Sequence, residues 1–266
     1  MIKVINWNIN SIKSRLNHLL LLIKEEDPDI IMLQELKCET DKFPYVEFET
    51  LGYNLLINGQ KTYNGVAILS KYPCEDTTSS LPSYNIDDND QQARYIETIC
   101  TINKKIWRFI SVYVPNGQEV ESEKYSYKLN FLERLHQHLN NLKTDQENLV
   151  IGGDFNIANQ DIDVYDPKTL TEKLCFSLKE KKHLRKIINS GFSDTYRLLN
   201  QNITQFSWWD YRAGAYQKNN GLRIDYIFSN HTATNQLKES FVLEKFRTLE
   251  KPSDHIPIVS IYEENT

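Results

Sequence analysis

Short apolar runs alternate with amphipathic stretches along the whole chain. Residues 2–7, 30–33, 149–151, 224–228 and 256–261 read as strands, most of them buried on both faces. Residues 53–57 and 66–69 suggest a strand pair joined through a loop at 58–65. Residues 95–102 and 106–114 suggest a hairpin turning at Asn103-Lys104. The 3.6-residue period appears in three places. Residues 15–26 place Leu16, Leu19, Leu20 and Ile23 on one face and stop at Asp27-Pro28. Residues 125–142 form the longest helical pattern, and residues 176–189 end before Gly191, a suitable C-cap. Repeats, low-complexity tracts and flexible linkers are absent from the pattern. Many strands with interspersed helices predict an α/β fold: two packed, mixed and mostly antiparallel β-sheets covered outside by helices. Hairpins mixed with crossovers argue against a purely parallel sheet. One domain over residues 1–266 is expected.

Bulk properties narrow the class. A chain of 266 residues can bury a large core, and 40% hydrophobic with 25% charged residues is the balance of a soluble globular protein. No apolar run approaches the roughly 20 residues of a membrane span. The chain enters directly into Ile2-Lys3-Val4-Ile5 without a leader pattern. Cys38, Cys74, Cys100 and Cys175 show no C-x-x-C spacing, which fits reduced structural thiols. A cytoplasmic protein with no membrane association is expected. A net charge of −5 and a pI near 5.7 argue against a non-specific nucleic-acid coat protein. They leave room for local contact with DNA.

The candidate chemistry sits where apolar runs end or begin. Glu35 follows 30–33 and Gln34, where a carboxylate can hold a hard cation through oxygen. Asn8 ends the first strand, and parallel neighbours would bring it beside Glu35. In Gly152-Gly153-Asp154-Phe155-Asn156 the glycines permit a sharp turn and close approach of a ligand. Asp154 can orient or deprotonate a water, and Asn156 can donate to a phosphoryl oxygen; the plainer reading is an Asx turn. Tyr113 offers a phosphate contact or simple core packing. Asp225 is the natural partner of His255, since an Asp on one imidazole nitrogen fixes the tautomer and leaves the other free to donate. Trp208, Trp209, Tyr211 and Arg212 could stack a sugar or an extruded base, or pack in the core. Gln60, Lys61, Tyr63, Asn64 and Arg94 are candidate phosphate contacts. Carboxylate, amide and imidazole clusters in this pattern are what metal-assisted phosphoester hydrolysis requires.

Taken in order, Asn6-Trp7-Asn8-Ile9-Asn10, Leu33-Gln34-Glu35, Gly59-Gln60-Lys61, Gly65-Val66-Ala67, Tyr113-Val114-Pro115, Gly153-Asp154-Phe155-Asn156, the segment from Phe206 to Arg212, Gly221-Leu222-Arg223-Ile224-Asp225 and Lys251-Pro252-Ser253-Asp254-His255 resemble the exonuclease III family of abasic-site endonucleases. The resemblance covers nearly the whole chain and implies a four-layer α/β sandwich. It further implies a Mg²⁺- or Mn²⁺-dependent, monomeric phosphodiesterase. Such an enzyme cuts double-stranded DNA 5′ to abasic sites and clears blocked 3′ ends by exonuclease, 3′-phosphatase or 3′-phosphodiesterase action. Carried over by position, Asn8, Glu35, Asp154, Asn156, Asp254 and His255 surround the metal. Tyr113, Asp154, Asn156, Asp225 and His255 carry the reaction. Asn116 joins the DNA contacts, and Trp208, Leu222 and Ile224 wall a pocket for the abasic sugar. Two alternatives compete. One is a superfamily phosphoesterase acting on RNA, lipids or inositol phosphates. The other is a non-catalytic DNA-binding module, which would require a lost ligand or base, yet each carried-over polar position is filled.

Overall fold

The computed structural model describes residues 1–83, 90–142 and 147–263. In chain order the elements begin with β1 (Ile2–Asn8), α1 (Ile12–Glu26), β2 (Ile30–Gln34), α2 (Tyr45–Glu49), β3 (Asn54–Asn58), β4 (Val66–Ser70) and β5 (Glu75–Thr78). They continue with β6 (Tyr95–Ile102), β7 (Lys105–Tyr113), α3 (Glu123–Asn141), β8 (Glu147–Asp154), α4 (Pro167–Leu170), α5 (Leu178–Asn189), β9 (Phe192–Asp194) and α6 (Thr195–Leu199). The last are β10 (Asp225–Asn230), α7 (His231–Thr234), β11 (Leu237–Val242) and β12 (Ile258–Tyr262).

The strands form two six-stranded sheets, ordered β11-β12-β1-β2-β4-β3 and β5-β6-β7-β8-β10-β9. Each sheet holds one parallel pair, β1 with β2 and β7 with β8, and its other neighbours are antiparallel. Strand alternation explains the layering. On β1, Ile2 and Val4 join the core between the sheets, whereas Ile5 and Trp7 face the outer core with Leu19, Leu22 and Ile23 of α1. On the far side, Leu132, Leu135 and Leu139 of α3 and Leu184 and Ile187 of α5 cover Ile110, Val112 and Ile151. Fully burying each such side chain contributes roughly 1.5–3 kcal/mol. The result is the expected four-layer α/β sandwich.

Toward one rim the core between the sheets turns polar. Gln34 Nε2 donates to Asn6 Oδ1 (2.8 Å) and to Ser111 Oγ (2.9 Å), and Ser111 Oγ donates to the Leu33 carbonyl. Asn6 reaches across to the Gly153 carbonyl. Gly152 and Gly153 are not a turn, as their sequence suggested, but part of extended β8. A Cβ on Gly152 would lie 2.3 Å from Met32 Cε and 2.8 Å from Asn6 Oδ1; one on Gly153 would lie 2.5 Å from the Val112 carbonyl oxygen. Gly152 lets the sheets close together just below Asp154, and Gly153 lets β8 lie close against Val112 of β7.

Predicted element ends shift slightly. Helix α1 begins at Ile12, not 15, because Ser11 caps it by accepting from the Ser14 amide. Its buried face uses Ile12, Leu19, Leu22 and Ile23, while Leu16 and Leu20 are partly buried. Strand β10 starts at Asp225 and β12 at Ile258; the Ile256 amide and Pro257 carbonyl bond instead to Ser207 and Leu243. Ser190 ends α5, with Gly191 just beyond it in the left-handed region (φ 103°). Among the described residues no helix is long and apolar enough to cross a membrane, and the four cysteines are free.

Candidate active site

Parallel pairing sets the site. Asn8 pairs with Gln34 at the carboxyl ends of β1 and β2, and Tyr113 pairs with Asp154 at those of β7 and β8. Strand β10 runs antiparallel, so its first residue, Asp225, lies opposite Asp154. Residues ending four strands and one beginning a fifth therefore meet on one rim. His255 reaches this rim just before β12. A small ladder fixes the approach: Trp208 bridges to both Leu222 and His255, and the Trp209 amide bonds to the Asp254 carbonyl.

Asn8 Nδ2 joins the two sheets, donating to Glu35 Oε1 (2.8 Å) and Asp154 Oδ2 (2.9 Å). Glu35 turns off the strand in the left-handed region (φ 52°), and Lys37 Nζ lies 2.8 Å from its other oxygen. Ligand atoms of Glu35, Asp154 and His255 all fall within 4.8 Å of one another. The two carboxylates supply the oxygen ligands that a hard divalent cation prefers. Asp254 lies outside that group. Its oxygens accept from Asn10 Nδ2 (2.7 Å) and Trp208 Nε1 (3.0 Å), and it lines the same cleft.

His255 Nδ1 sits 2.9 Å from Asp225 Oδ2, and its Nε2 lies 3.8 Å from Asp154 Oδ2. Ser207 Oγ donates to Asp225 Oδ2 (2.6 Å) while accepting from the amides of Ile224 and Asp225. Burial alone would lower the imidazole pKa, but Asp225, Asp154 and Asp254 outweigh it and raise it to about 10. The imidazole is thus a cation that donates from both nitrogens. Burial, reinforced by Asp225 and Glu35, pushes Asp154 up to about 7 against the pull of His255 and Asn8. Burial, then Glu35 and Asp154, push the Tyr113 phenol well above its usual range, so it is a neutral donor.

Asn156 also has a left-handed backbone (φ 52°), and its amide donates to Asp154 Oδ1. Its side chain donates to the Val114 carbonyl (3.1 Å) and accepts from Asn116 Nδ2 (2.9 Å), leaving one N–H for the cleft. Beneath this loop, buried Lys128 Nζ donates to the carbonyls of Asn156 (2.7 Å) and Asn116 (3.1 Å) and pairs with buried Glu180.

The cleft, about 790 Å³, contains Glu35, Tyr113, Asp154, Asn156 and His255 along with Trp208, Leu222 and Ile224. Leu170, Leu174 and Cys175 complete its apolar wall. Sequence reasoning missed these three, which arrive on the segment after Asn156 at the end of α4 and just beyond it, and it missed Ser207 and Lys37. The neighbours of Ser207 in the aromatic segment, and the two-residue spacing of Lys37 from Glu35, were the available signals. Asn116 lines the cleft, and Arg94 stacks over the Tyr113 ring (4.8 Å). Gln60 and Asn64 bond to each other and tie their loop to Ala93 and Gln92, whereas Lys61 and Tyr63 are exposed beside them. This second group borders the site without lining the cleft.

The chain belongs to the Endonuclease/Exonuclease/phosphatase family, whose profile matches residues 5–255 and so spans the clusters from Asn6 to His255. Within it, the exodeoxyribonuclease III of Haemophilus influenzae is 32% identical over 264 residues, covering 96% of this chain and 98% of that protein. Two solved structures superpose with a TM-score of 0.92, each covering 99% of this chain and 100% of the other. They are the 3′ phosphatase NExo from Neisseria bound to product DNA hairpin (35% identical) and an AP endonuclease from Archaeoglobus fulgidus (36% identical). The resemblance and the fold expected from sequence are both borne out.

Proposed function

We propose that the protein is a divalent-metal-dependent DNA-repair phosphodiesterase that nicks duplex DNA 5′ to abasic sites and clears blocked 3′ ends. It works as a single-domain, monomeric, cytoplasmic enzyme. The observation that carries this reading is the meeting of Glu35, Asp154 and His255 within 4.8 Å, beside an apolar pocket walled by Trp208, Leu222 and Ile224. The relatives named above, a nuclease, a 3′ phosphatase and an AP endonuclease, support the substrate class.

Glu35, Asp154 and Asn8 would hold Mg²⁺ or Mn²⁺, with Asn156, Asp254 and His255 around them. A cation held there supplies charge neutralisation at the scissile phosphate. His255, oriented by Asp225, donates from Nε2 to a phosphoryl oxygen, and neutral Tyr113 and the free Asn156 N–H donate beside it. Asp154 orients the attacking water and takes its proton. The apolar wall accepts a baseless sugar, whereas a normal nucleotide must first be unpaired and unstacked. Arg94, Lys61, Tyr63, Gln60, Asn64 and Asn116 contact the flanking backbone. An inositol phosphate, with several charged groups, fits poorly: Arg212 and His255 are the cationic side chains among the described lining residues, against four carboxylates.

The deciding experiment compares rates on labelled duplexes carrying one internal tetrahydrofuran abasic analogue, a 3′-phosphate or a matched recessed 3′ end, with Mg²⁺ or Mn²⁺. Metal-dependent nicking of the first is expected. Folded protein that leaves the abasic duplex uncut with both metals would overturn the reading.

A further inference from the structure

Two cysteines remote from the cleft have no role in the chemistry above. Cys100 lies on β6 and is fully buried; Cys74 immediately precedes β5 and is partly exposed. The strands pair antiparallel with Glu75 opposite Ile99, so the next residues outward, Cys74 and Cys100, face each other. Opposed residues in an antiparallel pair have Cα atoms roughly 4.5 or 5.5 Å apart, both inside the range of about 4.4–6.8 Å that a disulfide spans. The sulfurs already lie 3.6 Å apart.

We propose that Cys74 and Cys100 form a reversible oxidation site for hydroperoxides, with Cys74 as the attacking thiol and Cys100 as the resolving one. Accessibility sets the order, because a peroxide reaches part-exposed Cys74 before buried Cys100. The surroundings agree. Hydrogen bonds from Cys100 first, then from Ser70 and Thr98, outweigh burial and lower the Cys74 thiol to about 7, while Cys74 and burial drive Cys100 upward. The Cys74 sulfur attacks hydrogen peroxide. An S–O bond forms, the O–O bond breaks, and the leaving hydroxide takes a proton to become water. Cys100 sulfur then attacks the sulfenic sulfur. The S–S bond forms, the S–O bond breaks, and hydroxide leaves with the Cys100 proton as a second water. Two thiols are oxidised by two electrons and one peroxide is reduced.

The bond would tie β5, the edge strand of its sheet, to β6. Cys100 pairs with Trp107, six residues before Tyr113 along β7, or about 20 Å from the cleft. Oxidation at this site therefore leaves phosphodiesterase activity intact.

The test uses reduced full-length protein treated with hydrogen peroxide, quenched with a maleimide and mapped by mass spectrometry. A Cys74–Cys100 cross-linked peptide is expected, with Cys38 and Cys175 still alkylated. In Cys100→Ser, dimedone should label Cys74 as a sulfenic acid, and in Cys74→Ser the cross-link should vanish. If folded protein gives no such peptide, or Cys38 or Cys175 oxidises as fast as Cys74, the proposal fails.

Discussion

Replacing Lys128 with Met keeps most of the side-chain volume and removes a charge from beneath the catalytic rim. Lys128 and Glu180 are both 0% exposed, so solvent cannot replace the lost partner. Removing one member of a buried ion pair costs about 3–5 kcal/mol. Glu180 keeps three other donors, the amides of Cys175 and Ser177 and the Ser177 hydroxyl, which places the loss near the lower end. For a chain of this size about 3 kcal/mol lowers the melting midpoint by roughly 6–12 °C. Two carbonyls, those of Asn116 and Asn156, also lose their donor. Well below the new midpoint, turnover should therefore fall by about 10- to 100-fold as Asn156 loses its fixed position. Urea titration and nicking kinetics at one low temperature measure the two effects separately. Lys128→Met combined with Glu180→Gln removes the stranded carboxylate and should recover part of the stability but little of the turnover. A single variant within about 1 kcal/mol of wild type, or a double variant no more stable than the single, would refute the reasoning.

Asp154→Asn should abolish turnover while leaving binding to abasic duplex measurable by fluorescence anisotropy; retained turnover would remove Asp154 from the chemistry. The His255 pKa is raised to about 10 from 6.5. Its contribution to stability is therefore complete below about pH 6.5 and lost as pH climbs through about 10. The denaturation midpoint of metal-free protein should fall across that window, and Asp225→Asn should move the fall to lower pH. A midpoint flat from pH 7 to 10 would contradict this. Gly153→Ala should destabilise more than Gly152→Ala, by about 1–3 kcal/mol in thermal or chemical melts. The first meets the fixed Val112 carbonyl, the second the flexible end of Met32.

The central strands were legible because both their faces are buried, so they read as near-continuous apolar runs. Of the edge strands, β3 was legible at 53–57, but β5, β9 and β11 were not. Strand β5 is Glu75-Asp76-Thr77-Thr78, mostly exposed, and β11 carries exposed Lys238 and Glu239. That polarity blunts an unpaired edge and also erases the apolar signal. The polar site residues stood out for the opposite reason, since carboxylates and amides at the ends of apolar runs are conspicuous. The pairing of His255 with Asp225 could be inferred from chemistry alone. Leu170, Leu174 and Cys175 could not, because their place in the pocket depends on the path of the segment after Asn156, which no local period encodes. The role of Gly152-Gly153 was also hidden, since it depends on what the opposite sheet presents to Gly152 and what the neighbouring strand presents to Gly153.

Strand β12 lies between β1 and β11, and the residues just before it deliver His255. The first strand thus waits for the last to complete its sheet. Asn8 and Glu35 are synthesised early, Tyr113, Asp154 and Asn156 midway, and His255 only after all other strands have been made. A growing chain on the ribosome therefore cannot bring Glu35, Asp154 and His255 together until this closing segment has docked. On the proposed reading, nuclease activity is switched on by finishing the fold.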